Sequence, residues 1–141
     1  MDCAFCNIIK GKISSTEIYR DKFVLCVLEE GPINLGHSLI VTVEHYSSIT
    51  AVPKEILEAM IGIAPRIGQA IVREVKADGF NLHLANGRCA GQVFLHTCLH
   101  VIPRFPTDGF SWGWRNQPPA NAKAKNQLAE NVVKRLNKSN I

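Results

Sequence analysis

Three residues in the second half of the chain, His96, Cys98 and His100, alternate within residues 91–104 (GQVFLHTCLHVIPR). In an extended strand, side chains two apart point the same way, so two imidazoles and a thiol share one row while Thr97, Leu99 and Val101 turn to the other face. Imidazole moves protons near neutral pH and binds metals, and a thiolate is both nucleophile and metal ligand. The row therefore suits nucleophilic catalysis, or an open metal site formed jointly by the three residues. A second pair, Cys3-x-x-Cys6, has the spacing of a zinc half-site: two thiolates three apart on a turn meet one tetrahedral ion whose other ligands come from elsewhere. The competing reading is two reduced thiols without metal. Five cysteines is an odd count, and Met1-Asp2-Cys3 opens with an acid and a thiol instead of a basic then apolar leader. Metal binding or free thiols are expected, in a cytoplasmic protein, and not a disulfide framework.

The elements that must hold these groups are legible from periodicity. Residues 4–12 read as a short helix, with Phe5, Ile8 and Ile9 three and four apart and Gly11 to end it. Residues 17–20 and 23–29 read as extended segments around an Asp21-Lys22 turn, and residues 37–43 as a short buried strand. From Pro53 to Lys76, apolar residues recur at Ile56, Met60, Ile63, Ile67, Ile71 and Val75; this is one amphipathic helix, with a kink expected at Pro65 and an end at Asp78-Gly79. Residues 80–85 read as a strand, Asn86 to Gly91 as a glycine-bearing loop, and residues 91–104 as the strand carrying the reactive row. Residues 120–136 suit a terminal helix with Leu128, Val132 and Leu136 on one side. This order predicts an α+β fold with an antiparallel sheet.

The chain has 141 residues, 46% hydrophobic and 20% charged, with a net charge of +4. That length suits one globular unit, and no apolar run approaches the roughly 20 residues of a membrane span. The basic residues are spread out, apart from Lys123, Lys125, Lys134, Arg135 and Lys138, so a nucleic-acid groove is not expected and a small anionic ligand is.

Read together, Cys3-x-Phe5-Cys6-x-Ile8-Ile9-x-Gly11-x-Ile13, then Gly36-His37-Ser38-Leu39-Ile40-Val41 with His45, then Gly91-Gln92 and His96-x-Cys98-x-His100-Val101-Ile102-Pro103-Arg104, resemble the histidine triad (HIT) superfamily of nucleotidyl hydrolases and transferases. The resemblance runs from Cys3 to about Gly109. It implies a HIT-like domain over residues 1–109, with residues 110–141 an extension packing on it, built as a five-stranded antiparallel sheet with one long and one or two short helices. It also implies a homodimer joined across the long helix and a sheet edge, and a pocket for a purine mononucleotide or dinucleotide. Members cleave at the α-phosphate through a nucleotidyl-histidine on the middle histidine; here that position is Cys98.

By the same resemblance, His100 supports the transferring phosphate and protonates the leaving group, and His37 orients the triad; a hydrogen-bonded core histidine is the plain alternative for each. Phe5, Ile8, Leu28 and Glu29 match the nucleoside pocket, Glu29 standing where an aspartate is usual, although Phe5 and Ile8 at helical spacing also read as core. Asn86 and Gln92 are expected to face phosphate or to cap their loop. Ala85 and Val93 replace polar residues usual beside the phosphate. His45 and His96 complete a structural zinc site with Cys3 and Cys6. His83, Cys26 and Cys89 read as packing or surface groups, and Trp112 and Trp114 as a cover for the site or for a partner's surface, or as plain packing. The implied activity is nucleotidyl hydrolysis or transfer through a covalent intermediate on Cys98; the alternative is a catalytically impaired nucleotide-binding sensor or interaction module.

Overall fold

Three strands follow a short helix in succession, and two more follow the long helix. The computed structural model describes residues 3–111, 113, 117, 118 and 121–138. Helix α1 (Ala4–Ile9) stops where Gly11 takes φ +70°, sooner than residue 12, and its last carbonyls are met by Gly11 and Lys12 N–H. Strands β1 (Glu17–Arg20) and β2 (Val24–Leu28) form a hairpin, because Asp21 Oδ1 accepts from the N–H groups of Phe23 and Val24 at 2.7 and 2.8 Å. Strand β3 (Ser38–Thr42) is buried along its whole length.

Helix α2 (Lys54–Val75) follows, with Ile56, Met60, Ile63, Ile67 and Ile71 buried as the periodicity requires. It runs unbroken through Pro65, which lies on the exposed side. Lys76 closes it in the left-handed conformation (φ +57°), two residues before the expected Asp78-Gly79. Strands β4 (Gly79–His83) and β5 (Cys98–Arg104) complete one antiparallel sheet in the order β1-β2-β3-β5-β4.

Alternation along the central strands assigns each face. Val24, Cys26, Ile40, Leu99 and Val101 pack under α2 around the fully buried Met60. Leu25, Val27, Leu39 and Val41 turn to the other face, where Phe5 of α1 covers them and Cys98 packs at the border. Gly68 permits the close seating of α2 on β4, since a Cβ there would lie 2.5 Å from the Phe80 ring.

One expectation is corrected. The strand predicted over residues 91–104 begins only at Cys98; Val93, Phe94 and Leu95 are exposed, and His96 precedes the strand in a bend. Thr97 N–H donates to Tyr46 O at 2.6 Å and Thr97 Oγ1 to the same oxygen at 3.0 Å, so this segment is tied to a distant loop instead of a neighbouring strand. The chain divides into two compact units, Met1–Phe110 and Ser111–Ile141. The second holds helix α3 (Ala122–Lys138), on which Leu128, Val132 and Leu136 are exposed. Trp112 and Trp114 lie outside the described residues.

Candidate functional site: a histidine cleft beside a cysteine–histidine cluster

Leu99 and Val101 of β5 are spent on the α2 side, so Cys98 and His100 project to the opposite face. There they line a cleft of about 340 Å³ with His37, Glu29, His83 and Phe94. The β-ladder sets His100 opposite Leu39 of β3 on one side and His83 of β4 on the other. His37 sits at the entry to β3, where Gly36 has φ +91° and passes so near α2 that a Cβ would meet Ile71 Cγ2 at 2.7 Å.

Hydrogen bonds assign the protons. Ile33 N–H donates to His37 Nδ1 at 3.2 Å, so that nitrogen carries a lone pair and the neutral ring's proton is on Nε2. His37 Nε2 is 3.0 Å from His100 Nδ1 and donates to it, which leaves the proton of His100 on Nε2. Burial, then the neighbouring His100, hold His37 below its ordinary pKa of 6.5. Burial, then the charge of His83, lower His100 in the same direction. Both rings are therefore neutral near pH 7, with His100 offering an N–H donor.

Cys98 lies beside His100 on this face, and its Sγ has no hydrogen-bond partner among the described residues. Burial, then the Glu29 carboxylate, push the thiol up to about 12. Glu29 lines the cleft and accepts from Gly31 N–H at 3.2 Å. Gln92 also lines it, but its amide is engaged: Oε1 accepts from Gly87 N–H at 2.8 Å, and Nε2 donates to Ser47 O and Phe94 O. Asn86 Oδ1 accepts from Ile49 N–H and Ser48 Oγ, pinning the loop before α2. Phe5 is buried with its ring edge-on to Phe94 and His96, Ile8 packs beside it, and Leu28 is partly buried at the end of β2. His83, read from sequence as a packing or surface group, lines the cleft; strand register is the observation that brings it there.

On the far side of His96 lies a second assembly. The ligand atoms of Cys3, Cys6, His45 and His96 all fall within 4.8 Å of one another. His96 Nδ1 is 3.4 Å from Cys3 Sγ and 3.8 Å from Cys6 Sγ, and His45 Nδ1 is 3.3 Å from Cys6 Sγ. A tetrahedral zinc with Zn–S of about 2.3 Å and Zn–N of about 2.0 Å separates its ligands by roughly 3.3–3.8 Å, which the three sulfur–nitrogen distances match, the remaining pairs lying within 4.8 Å. His96 Nε2 donates to Thr42 O at 2.8 Å, which keeps the lone pair on Nδ1, toward the sulfurs. Thr42 Oγ1, 3.2 Å from the same nitrogen, gives its own proton to Glu44 O. This donor set could hold a metal ion, and a closed set of four leaves no open position for metal chemistry.

The family model described as "HIT domain" matches residues 10–107. The chain belongs to the HIT family. Its relatives include the adenylylsulfatase HINT3 of Arabidopsis thaliana, 42% identical over 107 residues, covering 76% of this chain but only 54% of that protein. A solved HIT-family structure from Bacillus subtilis superposes with a TM-score of 0.89 at 30% identity, covering 96% of this chain and 97% of that one. A zinc-bound histidine triad protein from Mycobacterium smegmatis gives 0.73 at 30% identity, with 99% of each chain covered. Family membership and the five-stranded fold follow the sequence expectation.

Proposed function

We propose that this protein binds a purine nucleotide in the β5 cleft with a phosphate beside His100, and that the resting protein retains the nucleotide without turning it over. The observation carrying this reading is the Ile33–His37–His100 chain of hydrogen bonds, which fixes an imidazole N–H as a donor beside the thiol row. Such a donor is what a phosphate oxygen requires. A cysteine nucleophile needs an adjacent base or cation to become a thiolate, and Cys98 Sγ has no such hydrogen-bonded partner among the described residues. Cys98 stands at the position of the family's middle histidine, Glu29 meets the ribose, and Phe5, Ile8 and Leu28 back the base. Asn86 and Gln92 serve by shaping the loop that walls the cleft. Zinc at Cys3, Cys6, His45 and His96 is structural, a role supported by the spacing of the four groups and by the zinc-bound relative. In this reading the protein is a cytoplasmic homodimer, and residues 110–141 extend the HIT-like domain of residues 1–109.

A second reading, nucleotidyl hydrolysis or transfer, draws on the placement of Cys98 in the same cleft as His100. In it, Cys98 Sγ bonds to the α-phosphorus as the bond to the leaving group breaks, and the leaving group ends with the thiol's proton. Water then displaces sulfur. The relative named as an adenylylsulfatase supports testing a sulfate leaving group.

Intact mass after incubation with adenylyl sulfate, an adenosine phosphoramidate and a diadenosine polyphosphate separates the two. AMP binding with neither adduct nor product is the expected result. A nucleotidyl adduct on Cys98 with released product establishes the second reading, and failure to bind AMP overturns both. Replacing Cys98 by His is expected to restore turnover; a silent variant would place the defect beyond one atom, at Ala85 or Glu29.

A further inference from the structure

No lysine or arginine is among the described residues that line the cleft, so among those lining residues imidazole is the group able to carry positive charge. Two of the cleft's four histidines are committed elsewhere. His37 is 3% exposed and gives its proton to His100, and His96 is 1% exposed and held between Thr42 and the cysteines. Arg104, whose charge reaches His37, is held by Asn81 Oδ1 at 2.8 Å and by Asp108, and lies over the Phe110 ring. Gln92 has no free amide hydrogen to offer, and Ala85 has none at all.

His83 is the exception. The β4–β5 register sets it directly opposite His100, with ring centroids 5.9 Å apart and planes inclined at 59°. Its ring is exposed and makes no hydrogen bond to another described residue. Cross-strand neighbours at this separation can meet one tetrahedral anion together, His100 through Nε2–H and His83 from the opposite strand. Imidazole carries an N–H donor in either of its protonation states, and the exposed ring leaves that donor open to a ligand.

We propose that His83 is a phosphate-binding residue of this cleft, donating to the nucleotide's non-bridging oxygens opposite His100, so that the cleft selects nucleoside monophosphates over the nucleosides themselves. The proposal rests on the nucleotide reading above and adds to it a donor on the strand that faces His100.

Calorimetric titration of AMP and adenosine into the full-length protein, His83→Gln and His83→Lys at pH 6.5 tests it. His83→Gln is expected to lose about tenfold in AMP affinity, the worth of one charge-assisted hydrogen bond, with adenosine affinity unchanged. His83→Lys keeps the charge and should retain AMP binding. Unchanged AMP affinity in His83→Gln overturns the proposal and leaves the nucleotide reading standing. Equal loss in the Gln and Lys variants, or loss of adenosine along with AMP, also overturns it by assigning His83 a part in cleft shape. A wild-type protein that binds neither ligand overturns the nucleotide reading, and this proposal with it.

Discussion

His37 Nε2 lies 3.0 Å from His100 Nδ1, with the other His37 nitrogen held by the amide of Ile33. The order of donors fixes both tautomers, with each ring's proton on Nε2. Nitrogen-15 NMR of the imidazoles at pH 7.5 should therefore show Nε2–H tautomers for both. Replacing His37 with Phe should release His100 into a mixture of tautomers; an unchanged His100 spectrum in that variant would remove His37 from its orienting role.

Stability should fall on mild acidification. His37 and His100 have folded pKa values below the ordinary 6.5, chiefly through burial. Below that pH the unfolded chain takes up protons that the folded protein refuses, so the stability present above pH 6.5 is lost as pH falls toward the folded values. Urea midpoints at pH 7.5, 6.5 and 5.5 should decline in that order, less steeply in His37→Phe. A flat or rising series contradicts the assignment.

Metal should bind where four ligand atoms gather within 4.8 Å. Elemental analysis of the purified protein is expected to give one zinc per chain, and Cys3→Ala and Cys6→Ala should each abolish it. Chelation should lower the melting temperature, because ion binding contributes directly to folding. Zinc retained by both alanine variants would refute the site.

Two glycines make opposite predictions under one substitution. Gly36 has φ +91° and no room beside Ile71, so Gly36→Ala should cost about 1–3 kcal/mol. Gly62 lies within α2, where a Cβ would meet nothing within 4 Å, so Gly62→Ala should stabilise by about 0.5–1 kcal/mol. Denaturant midpoints of the two variants should move in opposite directions.

The parts of the molecule that repeat are legible in the sequence. The stripe Ile56, Met60, Ile63, Ile67 and Ile71 lies buried in phase, because a helix packing on a sheet leaves a periodic trace. The start of β5 differs from the sequence pattern for a physical reason: Val93, Phe94 and Leu95 mimic a strand, yet they are exposed, and the segment is held through Thr97 and Gln92 by a loop far away in sequence. Such ties leave no local pattern. The place of His83 has no local signal either, since the pairing of β4 with β5 is what sets it against His100. Cys3, Cys6, His45 and His96 were found as a set through a family likeness, their spacing along the chain pointing only to the first pair.

Pro65 carries a consequence for motion. It has no N–H to give the carbonyl of Ile61, and both residues lie on the exposed side of α2, where Ile61 is 50% exposed and water can take up the orphaned oxygen. The helix is thus continuous in shape but interrupted in its ladder of bonds. Amide hydrogens of the turn around Pro65 should exchange with deuterium sooner than those deeper in either half, so that the two halves of the longest element can breathe separately above a sheet that stays closed.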